Sequence, residues 1–153
     1  MCSRITNHQE LDVNAREFDA DIEPGTVWTP SYNVAPTQQL PVVGLREGQR
    51  VLRTLRWGLV PSWVRDAQGA AEIATRCINA RSETVDVKPA FKAALAKRRC
   101  AVIVSGWYEW KHEGPAKIPH RWFHATNGGL LALAGLWERW KNPATGGKPA
   151  RPR

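Results

Sequence analysis

Long apolar runs are missing from these 153 residues. The longest, residues 130–137, is broken by Gly135 and falls far short of the roughly 18 residues a helix needs to cross a bilayer, so no membrane anchor is expected. Cysteine is scarce as well. Cys2, Cys77 and Cys100 are odd in number and widely spaced, which excludes a disulfide framework and C-x-x-C metal spacing and leaves free thiols. The N-terminus reaches Glu10 and Asp12 without an apolar stretch, so no signal peptide is read there and a cytoplasmic location is expected. With 42% apolar and 24% charged residues, the composition fits one domain with one core and excludes disorder.

Acidic residues are concentrated at the start. Residues 1–23 hold six acids and two bases, a net −4, which leaves +12 on residues 24–153 toward the total of +8. That basic remainder favours a polyanionic partner, against the plainer reading of a basic soluble surface. Eight tryptophans, several beside Arg, Gly or Pro, supply the flat surfaces that unpaired bases stack on.

Leu11, Ala15, Phe18 and Ile22 recur at helical spacing behind a cap at Thr6 or Asn7 and predict an amphipathic helix. Residues 28–39 carry two prolines, Pro30 and Pro36, and read as an ordered loop. Residues 40–45 and 51–56 predict a hairpin around Arg46-Glu47-Gly48-Gln49. Trp57 to Trp63 reads as a rigid loop presenting two indoles, and residues 66–72 as a mobile excursion. Pro89 opens a helix through Arg98, with Phe91, Ala94 and Leu95 on its buried side. Residues 100–105 form a central strand, and a second hairpin pairs 120–126 with 130–137 around Asn127-Gly128-Gly129. The fold class is α+β with mainly antiparallel strands.

Cys2 is the sharpest chemical feature. Loss of Met1 leaves an α-amine and a thiol on adjacent carbons. The amine, with a reference pKa of roughly 7.7–8.0, has a neutral fraction that can add to an aldehyde, and the thiol can close a thiazolidine ring on the resulting imine. Alone, a cysteine at position 2 reads more readily as an incidental residue.

The ordered phrases Met1-Cys2-x-Arg4, Tyr32-Asn33-Val34-Ala35-Pro36-Thr37, Arg56-Trp57-Gly58-Leu59-Val60-Pro61, Ile78-Asn79-Ala80-Arg81-Ser82-Glu83-Thr84 and Gly106-Trp107-Tyr108-Glu109-Trp110 resemble the SRAP family, the SOS response-associated peptidases. The resemblance implies a barrel-like, mainly antiparallel β-sheet with a few flanking helices over residues 1–140; residues 141–153, rich in Pro and Gly with nothing to bury, read as a flexible tail. It implies a DNA-damage protein that binds single-stranded DNA containing abasic sites as a monomer, with no metal and no cofactor. In that reading Cys2 is the nucleophile, freed by autoproteolytic loss of Met1, Asn79 hydrogen-bonds near the reacting sugar, and Glu109 is the general acid/base. Arg4, Asn33, Trp57, Trp63 and Arg81 contact DNA, guanidinium groups on phosphates and indoles against bases.

Read singly, these residues have plainer alternatives: Glu109 an exposed acid at a strand end, Asn79 a turn residue, Arg81 an ion-pair partner of Glu83, Trp57 and Trp63 a lid on the core. Trp28, Trp122, Trp137 and Trp140 are assigned to the core or the tail boundary. Two departures from the family stand out. Ser3 occupies a position commonly glycine, and the family's His-x-Arg-Met-Pro phrase has no counterpart before Arg153, so the chain reads as shortened. His8, His112, His120 and His124 stand in other contexts and read as surface or hairpin packing. The alternative to covalent chemistry is a noncovalent module for single-stranded DNA. A peptidase acting on other proteins has no Ser-His-Asp or zinc constellation behind it.

Overall fold

The computed structural model describes residues 3–145. In chain order the elements are β1 (Ile5–Asn7), α1 (Leu11–Glu17), β2 (Asp21–Ile22), β3 (Ser31–Val34), β4 (Gln39–Arg46), β5 (Gln49–Arg56), α2 (Ala67–Arg76), α3 (Pro89–Lys97), β6 (Arg99–Val104), β7 (Gly106–Glu113), β8 (Ala116–His124) and β9 (Leu131–Leu136), followed by a 3-10 turn at Pro143–Thr145. They fall into two compact units. One is the chain up to Trp57 with Cys100–Gly135; the other is Gly58–Arg99 with the chain after Gly135.

The first unit holds two sheets, of strand order β3-β1-β7-β8 and β2-β5-β4-β6-β9. The β1–β3, β1–β7, β4–β5, β4–β6 and β7–β8 pairings are antiparallel and β2–β5 is parallel, and among the described residues neither sheet closes into a barrel. The α+β, mainly antiparallel class therefore holds, with two sheets in place of the single barrel-like one. Strand periodicity explains why β4 and β6 are almost uniformly apolar. Val42 and Val104 join Ile5, Val34 and Leu40 in one core cluster, while their chain neighbours Val43 and Ile103 join Ala15 and Leu52 in another. Both faces of these strands are covered, so alternation in the sequence gives way to a continuous apolar run.

The β4–β5 hairpin forms where the sequence places it. Glu47 and Gly48 both take positive φ, 52° and 83°, the left-handed pair that matches a two-residue turn to the twist of its strands. The helix at Pro89 also forms, with proline in its first turn and Phe91 and Ala94 buried.

Other expectations are corrected. Thr6 and Asn7 are strand residues, not helix caps, and both are fully buried with their polar groups satisfied. Asn7 Nδ2 donates to Asn14 Oδ1 at 2.7 Å and to the Ile103 carbonyl at 3.0 Å. Asn14 Nδ2 donates in turn to the carbonyls of Gln9 and Glu10 at 3.1 and 2.7 Å. This network ties the start of α1 to β1 and β6, in place of a side-chain cap. The helix stops at Glu17, and Ile22 is an exposed residue of β2. Part of the proline-rich stretch 28–39 is a strand, β3, which pairs along β1. Strand β8 pairs with β7, and β9 lies beside β6 in the other sheet, so the expected 120–137 hairpin does not form.

In the second unit, residues 66–72 are not an excursion. They begin α2, whose N-cap Asp66 accepts from the Gly69 amide at 2.7 Å. Gly58, at φ +122°, lies against this helix so closely that a Cβ would sit 2.5 Å from the Ala74 carbonyl oxygen. Arg98 pairs with Glu138 at 3.2 Å, and Trp140 Nε1 donates to the Val64 carbonyl at 2.7 Å. Of the expected tail, residues 146–153 lie outside the described part of the chain. No helix among the described residues is long and apolar enough to cross a membrane.

Candidate active site

Strand β1 is the pivot of the site because it lies between β3 and β7, with Ile5 paired to both Val34 and Trp107. The chain leading into it keeps to β7: the Tyr108 amide donates to the Arg4 carbonyl at 3.0 Å. Arg4 and Asn33, both DNA-contact candidates, are bonded to each other, Arg4 Nη1 donating to Asn33 Oδ1 at 2.7 Å. The Tyr108 hydroxyl donates to the Tyr32 carbonyl at 3.3 Å and joins β3 to the same end. Glu109 follows Tyr108 in the interior of β7, half-buried. It is therefore not an exposed acid at a strand end. Arg4, Asn33 and Glu109, 105 positions apart at the extremes, are thus gathered on β3, β7 and the lead-in to β1 between them. Cys2 and Met1 lie outside the described residues.

Trp57 follows β5 and packs, half-buried, against the cluster of Ile5, Val34 and Leu40. Its amide donates to the Gln38 carbonyl at 2.9 Å, and its carbonyl accepts from the Thr37 amide at 2.8 Å. These two bonds hold Thr37, a β-branched residue, at φ 78° in left-handed backbone. Trp63, Asn79 and Arg81 belong to the second unit. Trp63 is 57% exposed, Arg81 is exposed and Asn79 is half-buried.

Cys77 and Cys100 are free thiols. Burial pushes the Cys77 thiol up from its ordinary 9.0, partly opposed by Lys88, and burial pushes Cys100 up to about 11 against the opposing charge of Arg53. Both are therefore protonated near neutral pH, the unreactive form. Among the described residues, no three His, Cys, Asp or Glu side chains gather as metal ligands.

Several residues near the site carry no sequence signal of their own. His8 stacks on Tyr32 with ring centroids 4.8 Å apart. Trp122, which the sequence assigns to the core or tail, is 43% exposed, stacks on His124 and donates from Nε1 to Thr6 Oγ1 at 3.3 Å. Arg121 stands opposite Glu109 in the β7–β8 register. Only the true partner of residues 120–126, β7 in place of β9, makes these placements readable.

The model of the SOS response associated peptidase (SRAP) family matches residues 1–151. Abasic site processing protein YoqW of Bacillus subtilis is 39% identical over 145 residues, covering 94% of this chain and 62% of its own length. Abasic site processing protein HMCES of Gallus gallus is 32% identical over 148 residues, covering 80% and 44%. A crystal structure of a protein from Bacteroides thetaiotaomicron superposes with a TM-score of 0.84 at 27% identity, covering 95% of this chain and 63% of that one. The chain spans about three fifths of the length of the Bacillus relatives it matches. On the family match and the YoqW identity together, the chain belongs to the SOS response associated peptidase (SRAP) family.

Proposed function

We propose that this chain, once Met1 is removed, binds single-stranded DNA and links Cys2 covalently to an abasic site through a thiazolidine. The observation that carries the reading is the Tyr108–Arg4 hydrogen bond, which runs the lead-in to β1 alongside Tyr108 and Glu109. Cys2 stands two positions before Arg4, a reach of about 7 Å in extended chain. Relatives named abasic site processing proteins support the substrate class. The raised thiols of Cys77 and Cys100 support Cys2 as the reacting sulfur.

Hydrolysis of the Met1–Cys2 peptide consumes one water and releases methionine and a free α-amine. That amine adds to the C1′ aldehyde of the ring-opened sugar to give a carbinolamine. Glu109 protonates the hydroxyl that departs as water, and an imine forms. The Cys2 sulfur then bonds to C1′ while its proton passes to the nitrogen, closing the ring with a net loss of one water. Closure is intramolecular, so the thiol acts at a high effective concentration. Asn79 hydrogen-bonds near the sugar, and Arg4, Asn33, Trp57, Trp63 and Arg81 hold the strand. An abasic position has no base to read, so binding is indifferent to sequence.

Mature protein incubated with an oligonucleotide containing one abasic site is expected to give a heat-stable shifted band. Cys2→Ala is expected to abolish it, and Glu109→Gln to slow its appearance about 100-fold or more. Equal bands from wild type and Cys2→Ala would overturn the covalent step. Salt-sensitive binding with no denaturation-resistant species would favour the noncovalent module instead.

A further inference from the structure

Strand β8 is the outer strand of its sheet and presents Arg121, Trp122, Phe123 and His124 exposed in succession. Its register pairs Trp107 with Phe123 and Glu109 with Arg121. Alternation along both strands puts these four on one face. The Trp107 and Phe123 rings stack there with centroids 5.3 Å apart. The register slips immediately beyond, between Glu109 and Trp110, with Trp110 facing Pro119. Such a bulge bends the strand and commonly re-aims a side chain beside an active site. None of the ion pairs among the described residues uses Arg121.

We propose that Arg121 binds the phosphodiester flanking the abasic sugar. The assignment rests on the reading above, in which Glu109 acts at C1′. The phosphates nearest that carbon are attached to the same sugar, so a cation serving them must lie within one nucleotide of Glu109. Arg121 is the residue directly across the strand pair from it. A guanidinium suits the task because its planar fork can give two parallel hydrogen bonds to a phosphate. Phe123, 38% exposed on the same face, offers a ring to the adjoining base.

The test compares wild type, Arg121→Ala, Arg121→Lys and, as a control for loss of one surface charge, Arg16→Ala. Each mature protein is offered an abasic oligonucleotide and, separately, 2-deoxyribose, an aldehyde without phosphate, with adducts read by intact mass. Arg121→Ala is expected to raise the half-saturating oligonucleotide concentration about tenfold and to flatten the salt dependence by about 0.7 in log–log slope. Arg121→Lys should keep the slope, Arg16→Ala should match wild type, and all four should react alike with 2-deoxyribose. The assignment is overturned if Arg121→Ala keeps the wild-type half-saturation and slope, or if it loses the 2-deoxyribose reaction equally. If wild type captures neither the oligonucleotide nor 2-deoxyribose, the covalent reading itself fails.

Discussion

Cys100 lies on β6 at a point where β9 comes unusually close: a Cβ on Gly135 would sit 2.9 Å from the Cys100 sulfur and 2.7 Å from Val102 Cγ2. Burial at this point raises its thiol, against the opposing charge of Arg53. Because the folded state holds the proton up to about 11 while an exposed thiol loses it near 9.0, the unfolded chain binds fewer protons between those values. Stability from this group is therefore complete below pH 9 and is lost as pH rises toward 11, by roughly 2 to 3 kcal/mol. Urea denaturation of wild type and Cys100→Ala at pH 8 and pH 10.5 checks this. The variant's penalty is expected to shrink at the higher pH, and a constant difference between the two proteins would contradict it. At pH 8, alkylation by iodoacetamide should proceed faster at Cys77, whose thiol is less strongly raised, than at Cys100.

At the scale of elements, Gly106 opens β7 because no side chain fits there. A Cβ would fall 2.4 Å from the Phe123 carbonyl oxygen and 2.5 Å from Trp122 Nε1, the nitrogen that donates to Thr6. Gly106→Ala is expected to cost about 1 to 3 kcal/mol and to displace Trp122, seen as a shifted tryptophan emission and a lowered urea midpoint. Unchanged emission and midpoint would mean that β7 and β8 separate without penalty. The same stretch shows what a sequence can and cannot convey. The β4–β5 hairpin and α3 are legible because local signals, a Glu-Gly turn and a first-turn proline, coincide with the tertiary outcome. Residues 120–137 carry an equally good local hairpin signal, yet β8 pairs along β7 in one sheet and β9 lies beside β6 in the other, so the choice of partner is made by strands far away in sequence that a local turn signal does not reveal. Helix α2 escapes notice although Ala70, Ile73 and Ala74 recur at helical spacing, because Gly69 in its first turn reads as a breaker and its buried face, Ala70 and Ala74, carries no large side chain. At the site, the motif order marks Arg4, Asn33 and Glu109, whereas Arg121 becomes visible only once the register is known.

At the scale of the molecule, the net +8 admits two electrostatic accounts of DNA binding. In one, a few placed guanidinium groups meet phosphates and the rest of the charge is solvated. In the other, the whole basic surface attracts the strand, including α3 and its surroundings, where Lys88, Lys92, Lys97 and Arg99 are exposed with no acid between residues 88 and 99. Counterion release distinguishes them, because each phosphate neutralised on single-stranded DNA contributes about 0.7 to the slope of log affinity against log salt. Arg4, Arg81 and Arg121 acting alone give a slope near −2, about a twentyfold loss of affinity between 50 and 200 mM salt. We expect this smaller value for an intact oligothymidine titrated by fluorescence anisotropy. Lysines on an exposed, solvated helix face pay side-chain entropy for each contact, whereas Arg4 is already held by Asn33. A slope near −4 that falls toward −2 in Lys88→Gln/Lys92→Gln/Lys97→Gln would instead place the second account, and α3 with it, on the path of the strand.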